Sequence, residues 1–257
     1  MKYYEKLLKL GCFSRKDIID LTGNKYTTGS LIREYMTRGY IKRIRRDLYA
    51  TISLETKQSV VSPYRIANQL FPDAVVSHHS AFEVYGYTNQ VFYTLYVSTK
   101  NRFEDFTFEG IIYHRLLPKK DMHITEKNGI EVTSIEQTVI DSIEDYEKIS
   151  GIEEVLWSII MVPSLDENKL LDILKSRNVG FLWQKCGYIL SQLNDNFNLS
   201  DKFFTECLKY KTESRRSLIK SSSYIQRWDK EWGLYVPISL GSILNKGMYA
   251  YGPPFDA

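Results

Sequence analysis

The feature that most constrains this chain is where its charge lies. Residues 1–53 hold twelve Lys and Arg (Lys2, Lys6, Lys9, Arg15, Lys16, Lys25, Arg33, Arg38, Lys42, Arg43, Arg45, Arg46) against five acids (Glu5, Asp17, Asp20, Glu34, Asp47). That stretch is +7, while all 257 residues together are only +3. A duplex carries dense phosphate charge, and neutralising it releases counterions, so a segregated basic end points to a nucleic-acid partner.

The same stretch has the punctuation of a small helical domain. Residues 3–10 carry apolar side chains at helical spacing and stop at Gly11. Ser14 opens a second helix, with Asp17 three residues on in the place of a capping-box partner, and Gly23 closes it. After a short turn at 24–26, Thr27 or Thr28 is expected to cap a third helix that ends at Gly39, with Leu31, Ile32, Tyr35 and Met36 on its packing face. Two β-rich runs then flank Arg46-Asp47, which predicts a hairpin whose turn uses Asp for positive φ. Three helices and a basic hairpin in this order predict a winged helix-turn-helix over residues 1–55, with the third helix entering the major groove. The expected DNA contacts are Arg15 and Lys16, then Lys25, Thr27, Thr28, Ser30 and Arg33 on the third helix, and Arg43, Arg45 and Arg46 on the hairpin.

Residues 56–257 predict a larger second domain, reached through a polar linker at 53–62. Pro63 opens a short helix, residues 73–77 read as a buried strand, and residues 78–86 as a helix. Runs at 91–99, 106–109 and 111–116 are β-rich, so a small sheet is expected in a lobe spanning about 63–132. From about 133 to 257 the pattern is helical: 134–145, 152–161, 166–175, 180–193 and 201–210. The apolar run 233–243 either returns to the sheet or packs as a tail. The predicted class is α+β, an N-terminal winged helix-turn-helix followed by a larger domain with a small β-sheet and a helical end. Within the second domain, residues 131–167 hold ten acids and one base, and residues 202–230 hold eight bases and three acids. Lys209, Lys211, Arg215, Arg216, Lys220 and Arg227 are therefore a candidate second basic surface, interleaved with Tyr210, Tyr224 and Trp228. Solvated helix faces are the simpler explanation of each run.

Nothing in the sequence names an enzyme. Adjacent His78 and His79 point to different sides of a helix or strand and make a poor chelate, and Ser80 lacks the glycines of a nucleophile elbow. No catalytic residue, metal or cofactor is expected. The three cysteines, Cys12, Cys186 and Cys207, are widely spaced and read as reduced core residues of a cytoplasmic protein. With no run near 18 apolar residues and no heptads, neither a membrane partner nor a coiled coil is expected, and a monomer in solution is.

Several segments resemble AbiEi-family antitoxins. Gly11, Ser14-Arg15-Lys16-Asp17, Leu21-Thr22-Gly23 and Arg38 through Tyr49 are similar to that family's N-terminal domain, with Asp47 where the family usually has Gly. Asp73 through Phe82 with Tyr85-Gly86, Gly129 through Asp141, and Gln184 through Leu190 resemble three later family segments in the family's order. The resemblance implies an antitoxin of a bacterial type IV toxin–antitoxin (abortive-infection) system. Such an antitoxin represses its own promoter by binding DNA repeats through the winged helix. Its C-terminal domain counteracts a nucleotidyltransferase-like toxin without a stable complex. The alternative is a ligand-responsive winged-helix regulator with no toxin partner.

Overall fold

The computed structural model describes residues 3–88, 91–149, 151–220 and 225–238. It is an α+β protein with two compact units. One contains residues 1–80, 92–118 and 126–132, and the other 81–91, 119–125 and 133–257.

The first unit begins with helix α1 (Tyr4–Leu10), strand β1 (Cys12–Ser14), helices α2 (Arg15–Thr22) and α3 (Lys25–Thr37), and the hairpin β2 (Ile41–Arg45) and β3 (Leu48–Thr51). β1 and β2 flank β3 in an antiparallel sheet, with Phe13 opposite Tyr49 and Lys42 opposite Ala50. β1 was not foreseen. The punctuation of the first two helices is that read from the sequence. Gly11 sits at φ +70°, Gly23 is a left-handed C-cap, and the Ser14–Asp17 capping box is complete. Tyr4, Leu7, Phe13, Ile18, Ile32, Tyr35, Ile41 and Tyr49 close one core beneath these elements. The Tyr4 hydroxyl donates to the Ile52 carbonyl at 2.8 Å.

The same unit holds α4 (Pro63–Asn68), β4 (Val75–Val76), β5 (Thr94–Ser98), β6 (Phe106–Phe108), β7 (Ile111–Leu116) and β9 (Ile130–Thr133). α4 starts on Ser62 as N-cap with Pro63 in its first turn. With β8 (Ile124–Lys127) these strands form a mixed six-stranded sheet in the order β6-β7-β5-β4-β9-β8. The turn between β8 and β9 is Asn128-Gly129, both at positive φ.

Two expectations fail here. The compact units do not divide near residue 55: the N-terminal helices and hairpin share a unit with most of the six-stranded sheet. The polar stretch 53–62 is consequently no free linker. Val60 donates its N–H to the Thr51 carbonyl, Ser59 donates to Glu109 Oε2 at 2.9 Å, and Val61 Cγ1 lies where a Cβ at Gly11 would stand, 2.2 Å from it. Backbone hydrogen bonds fasten this segment, and polarity does not register them.

The second unit is helical as far as residue 210, as expected, but residues 216–217, 226–229 and 234–237, read within the helical end, form a small three-stranded sheet. The unit contains most of α5 (His79–Tyr85), then α6 (Ile135–Asp145), α7 (Ile152–Ile160), α8 (Glu167–Arg177), α9 (Gly180–Gln192), α10 (Asn194–Phe197) and α11 (Asp201–Tyr210). α9 is buried on every side from Leu182 to Leu190, the signature of a central helix. The C-terminal run does not return to the large sheet. β12 (Leu234–Pro237) pairs in parallel with β10 (Arg216–Ser217) and antiparallel with β11 (Gln226–Asp229). Trp232, Leu234 and Val236 drop into the helical core, and residues 239–243 of the run lie outside the described residues. Cys12, Cys186 and Cys207 are free thiols buried in the interior. No helix among the described residues is long and apolar enough to cross a membrane.

Candidate nucleic-acid interface

α3 sorts its residues by helical period. Thr28, Ile32 and Tyr35 are buried at i, i+4 and i+7, while Tyr26, Ser30, Arg33 and Thr37 are exposed on the opposite stripe. Lys25 and Thr27 are exposed beside them. The cap is Asn24, not Thr27 or Thr28. Its Oδ1 accepts from the N–H groups of Tyr26 (2.8 Å) and Thr27 (3.4 Å). Thr28 is fully buried and donates its hydroxyl to the Asn24 carbonyl at 2.9 Å, so the expectation that it reaches DNA is corrected. Thr28 lies four residues before Ile32 and seven before Tyr35, which puts it on the packing face. Tyr26, which was not among the expected residues, is 93% exposed at the start of α3. Its signal in the sequence was a large aromatic off the apolar face.

α2 and the hairpin converge on this helix. The N–H of Arg15 donates to the Asp47 carbonyl at 3.1 Å, tying the start of α2 to the hairpin turn. The Arg15 guanidinium comes to 3.8 Å from where a Cβ at Gly29 would stand. Arg15 and Lys16 are exposed there. Arg46-Asp47 forms the turn, with Asp47 at φ +58°, as its sequence suggested. Arg46 is 89% exposed and Arg43 is also exposed, its Nε donating to the Arg45 carbonyl at 3.2 Å.

Arg45 departs from expectation. A register shift between Arg43 and Arg45 turns it away from the exposed edge. Its guanidinium lies 4.7 Å from the ring centre of Phe71 and 5.8 Å from that of Phe103, and Nη1 is buried with no hydrogen-bond partner. Burial pushes its pKa down from the usual arginine value. Arg45 is thus half-buried in an aromatic clasp, not a free phosphate contact.

The second basic run is largely engaged. Lys209 faces Glu206 at 3.5 Å, Lys211 donates to the Glu231 carbonyl, and Lys220 faces Glu147 at 3.4 Å. Arg215 and Arg216 stack on Trp228 and Phe181, and Arg227 interacts with Tyr188. These six do not form an unpartnered cationic face, and Tyr224 lies outside the described residues. Part of the acidic run is internal, while Glu131, Glu147, Glu153 and Asp166 are exposed. Asp141 accepts from Arg177 and Gln137, while Glu144 and Asp145 share Lys119 at 3.0 and 2.5 Å. His78 and His79 are both buried, His78 at φ +54° with Nδ1 2.9 Å from Ser77 Oγ. Among the described residues no group of three His, Cys, Asp or Glu could hold a metal.

No protein-family model matches the chain, and no curated protein matches it either. Among solved structures, the RV2827C protein from Mycobacterium tuberculosis superposes with a TM-score of 0.68 over 96% of this chain and 93% of its own, at 13% sequence identity. At that identity the likeness is one of fold.

Proposed function

We propose that the chain is a DNA-binding autorepressor that serves as the antitoxin of a type IV toxin–antitoxin system. The observation that carries the DNA reading is the exposed stripe Lys25, Tyr26, Thr27, Ser30 and Arg33 on α3, set beside Arg15, Lys16 and Arg46. In this reading α1–α3 and the hairpin are a winged helix-turn-helix. The stripe meets base edges and the flanking cations meet phosphates. The antitoxin assignment is supported by the family-like segments, whose Gly187 and Ser134 have structural duties here. Gly187 lies under Trp232, and Ser134 caps α6. The partners proposed are double-stranded promoter DNA with repeats and a nucleotidyltransferase-like toxin, the latter countered through residues after about 60. The protein is proposed to act in the cytoplasm, without a cofactor and without catalysis of its own.

The test is fluorescence anisotropy of the full chain with the duplex just upstream of its own gene, beside a scrambled duplex, at two salt concentrations. Tight, salt-sensitive binding that prefers the native duplex is expected, weakened by Arg33→Ala. Equal, weak binding to both duplexes refutes the autorepressor. Co-expression with a growth-arresting nucleotidyltransferase-like protein from the same genome tests the antitoxin: growth arrest unrelieved for every such protein refutes it.

A further inference from the structure

Beside the hairpin turn lies a cleft of about 730 Å3, walled on one side by Arg45 and Arg46 and on the other by residues 102–106 and Arg115. Four guanidinium groups line it against two carboxylates, Glu104 and Asp105. Asp105 is already occupied, 2.6 Å from His114 Nδ1. Arg115 is occupied too, donating from Nε to the Asn101 carbonyl at 2.7 Å and from Nη2 to that of Lys100 at 3.2 Å. From the other side Asp73 accepts from the Thr99 hydroxyl (2.6 Å), the Lys100 N–H (2.8 Å) and Asn101 Nδ2 (2.7 Å). Residues 99–101 are thus held from two directions, and the exposed Arg102 that follows them is presented from a fixed support. Arg45, clasped over Phe71 and Phe103, contributes its charge to the wall without offering a free donor, and the exposed Arg46 and Arg102 are the cations open to an anion.

We propose that this cleft is a phosphodiester-binding site that takes a backbone phosphate of the same duplex held by α3. The inference rests on reading α3 and the hairpin as a DNA-binding face. Two observations favour a phosphodiester over a nucleotide whose base would need a stacking surface. Phe103 already packs between Phe71 and Phe106 at 6.0 and 5.9 Å, and Phe106 stacks on Tyr113 at 4.8 Å, so neither ring is offered to a base. One wall is the turn that Arg15 ties to α2, so the cleft continues the cationic face. The segment between β5 and β6 therefore adds a contact that positions the protein without reading sequence.

Arg102→Ala and Arg102→Glu test the site, since Arg102 is exposed and neither change disturbs the core. The measurement is log affinity against log salt for the full chain with its own upstream duplex and with the scrambled one. Losing one phosphate contact lowers the slope by about 0.9. Arg102→Ala is expected to do this for both duplexes alike, weakening them by the same factor, and Arg102→Glu to weaken both further. Unchanged slopes in both variants, with wild-type binding intact, overturn the cleft and leave the α3 reading standing. Absence of salt-sensitive binding by the wild type overturns both. Calorimetric binding of inorganic pyrophosphate that Arg102→Ala abolishes, with an unchanged DNA slope, assigns the cleft to a free anion and overturns the DNA contact.

Discussion

Gly187→Ala sets two physical terms against each other in the middle of α9. On propensity alone, alanine in a helix interior is worth up to about 1 kcal/mol over glycine. The space argues the other way. A Cβ at Gly187 would stand 2.1 and 2.5 Å from Cζ3 and Cη2 of Trp232 and 2.9 Å from Cβ of Cys207 on α11. Carbon atoms rest at about 3.5–4.0 Å, so the indole must retreat by roughly 1.5 Å. It has little freedom to do so: Trp232 is 3% exposed, its N–H donates to Asp229 Oδ1 at 2.9 Å, and its carbonyl accepts from Gln184 Nε2, less than one turn from Gly187. Overpacking of this kind costs about 1–3 kcal/mol when the core adjusts, and expelling the ring costs about 4–6 kcal/mol from its buried area. The net expectation is destabilisation by about 2 kcal/mol or more, which for a unit of this size lowers Tm by about 4–8 °C. All four tryptophans, Trp157, Trp183, Trp228 and Trp232, belong to the second unit, so urea unfolding followed by indole fluorescence reads that unit directly. In the double variant Gly187→Ala with Trp232→Leu, the two losses should sum to less than their separate values by about 1 kcal/mol or more. A Gly187→Ala protein as stable as wild type, or more so, refutes the reasoning, because propensity would then be the only term at work.

Three further outcomes are expected. Tyr26→Ala should leave the melting temperature unchanged, since the ring is 93% exposed, yet weaken the native duplex about tenfold while barely touching the scrambled one; equal losses on both would deny it a role in reading bases. Ser14→Ala removes the hydroxyl that receives the Asp17 N–H at 3.2 Å, and should cost the first unit about 1 kcal/mol in chemical denaturation, a neutral result counting against the capping box. Lys185 is buried beside the rings of Tyr146 and Phe181, with its Nζ 3.4 Å from the Glu144 carbonyl. Desolvation lowers its pKa below 10.5, so the folded state holds the proton less tightly than the unfolded chain. The resulting penalty is present while both states are protonated and fades as pH rises toward 10.5. Wild type should therefore gain stability relative to Lys185→Met between pH 7 and 10, and a difference constant with pH would exclude this account.

How far the sequence could be read depended on whether a residue's duty was local. Gly11, the Ser14–Asp17 box and the Arg46-Asp47 turn act within a few residues of themselves, and their spacing announced them. The five longer helices after residue 133 were legible to within two residues, because each buries a wide apolar face, while the one-turn α10 was not read. Arg45 and Arg46 mark the limit. Side by side and identical in kind, one is 89% exposed and the other is clasped by Phe71 and Phe103, because a register shift in β2 decides which way each points. No pattern in the chain encodes that shift. The hairpin of β8 and β9 carried the plainest turn signal, Asn128-Gly129, yet neither of its strands was read from the sequence. Strands of two or three residues give alternation little room to show; β4 and β6 were found, from their apolar and β-rich runs, while β1 and β10 were not.

The division of the chain into units has a consequence for how such a protein is made and inherited. The backbone passes from one unit to the other five times, at residues 80/81, 91/92, 118/119, 125/126 and 132/133. A module hung on one tether can be cut off, swapped between genes or finished on the ribosome before its neighbour begins. These two cannot. The first unit is incomplete until residue 132 has been synthesised, and residues 81–91 must then wait for helices still to be translated. Truncation after residue 55 would separate the N-terminal helices from the segment that rests on Gly11 and from the aromatic pair that grips Arg45. Recombination that respects this fold has to exchange both units together.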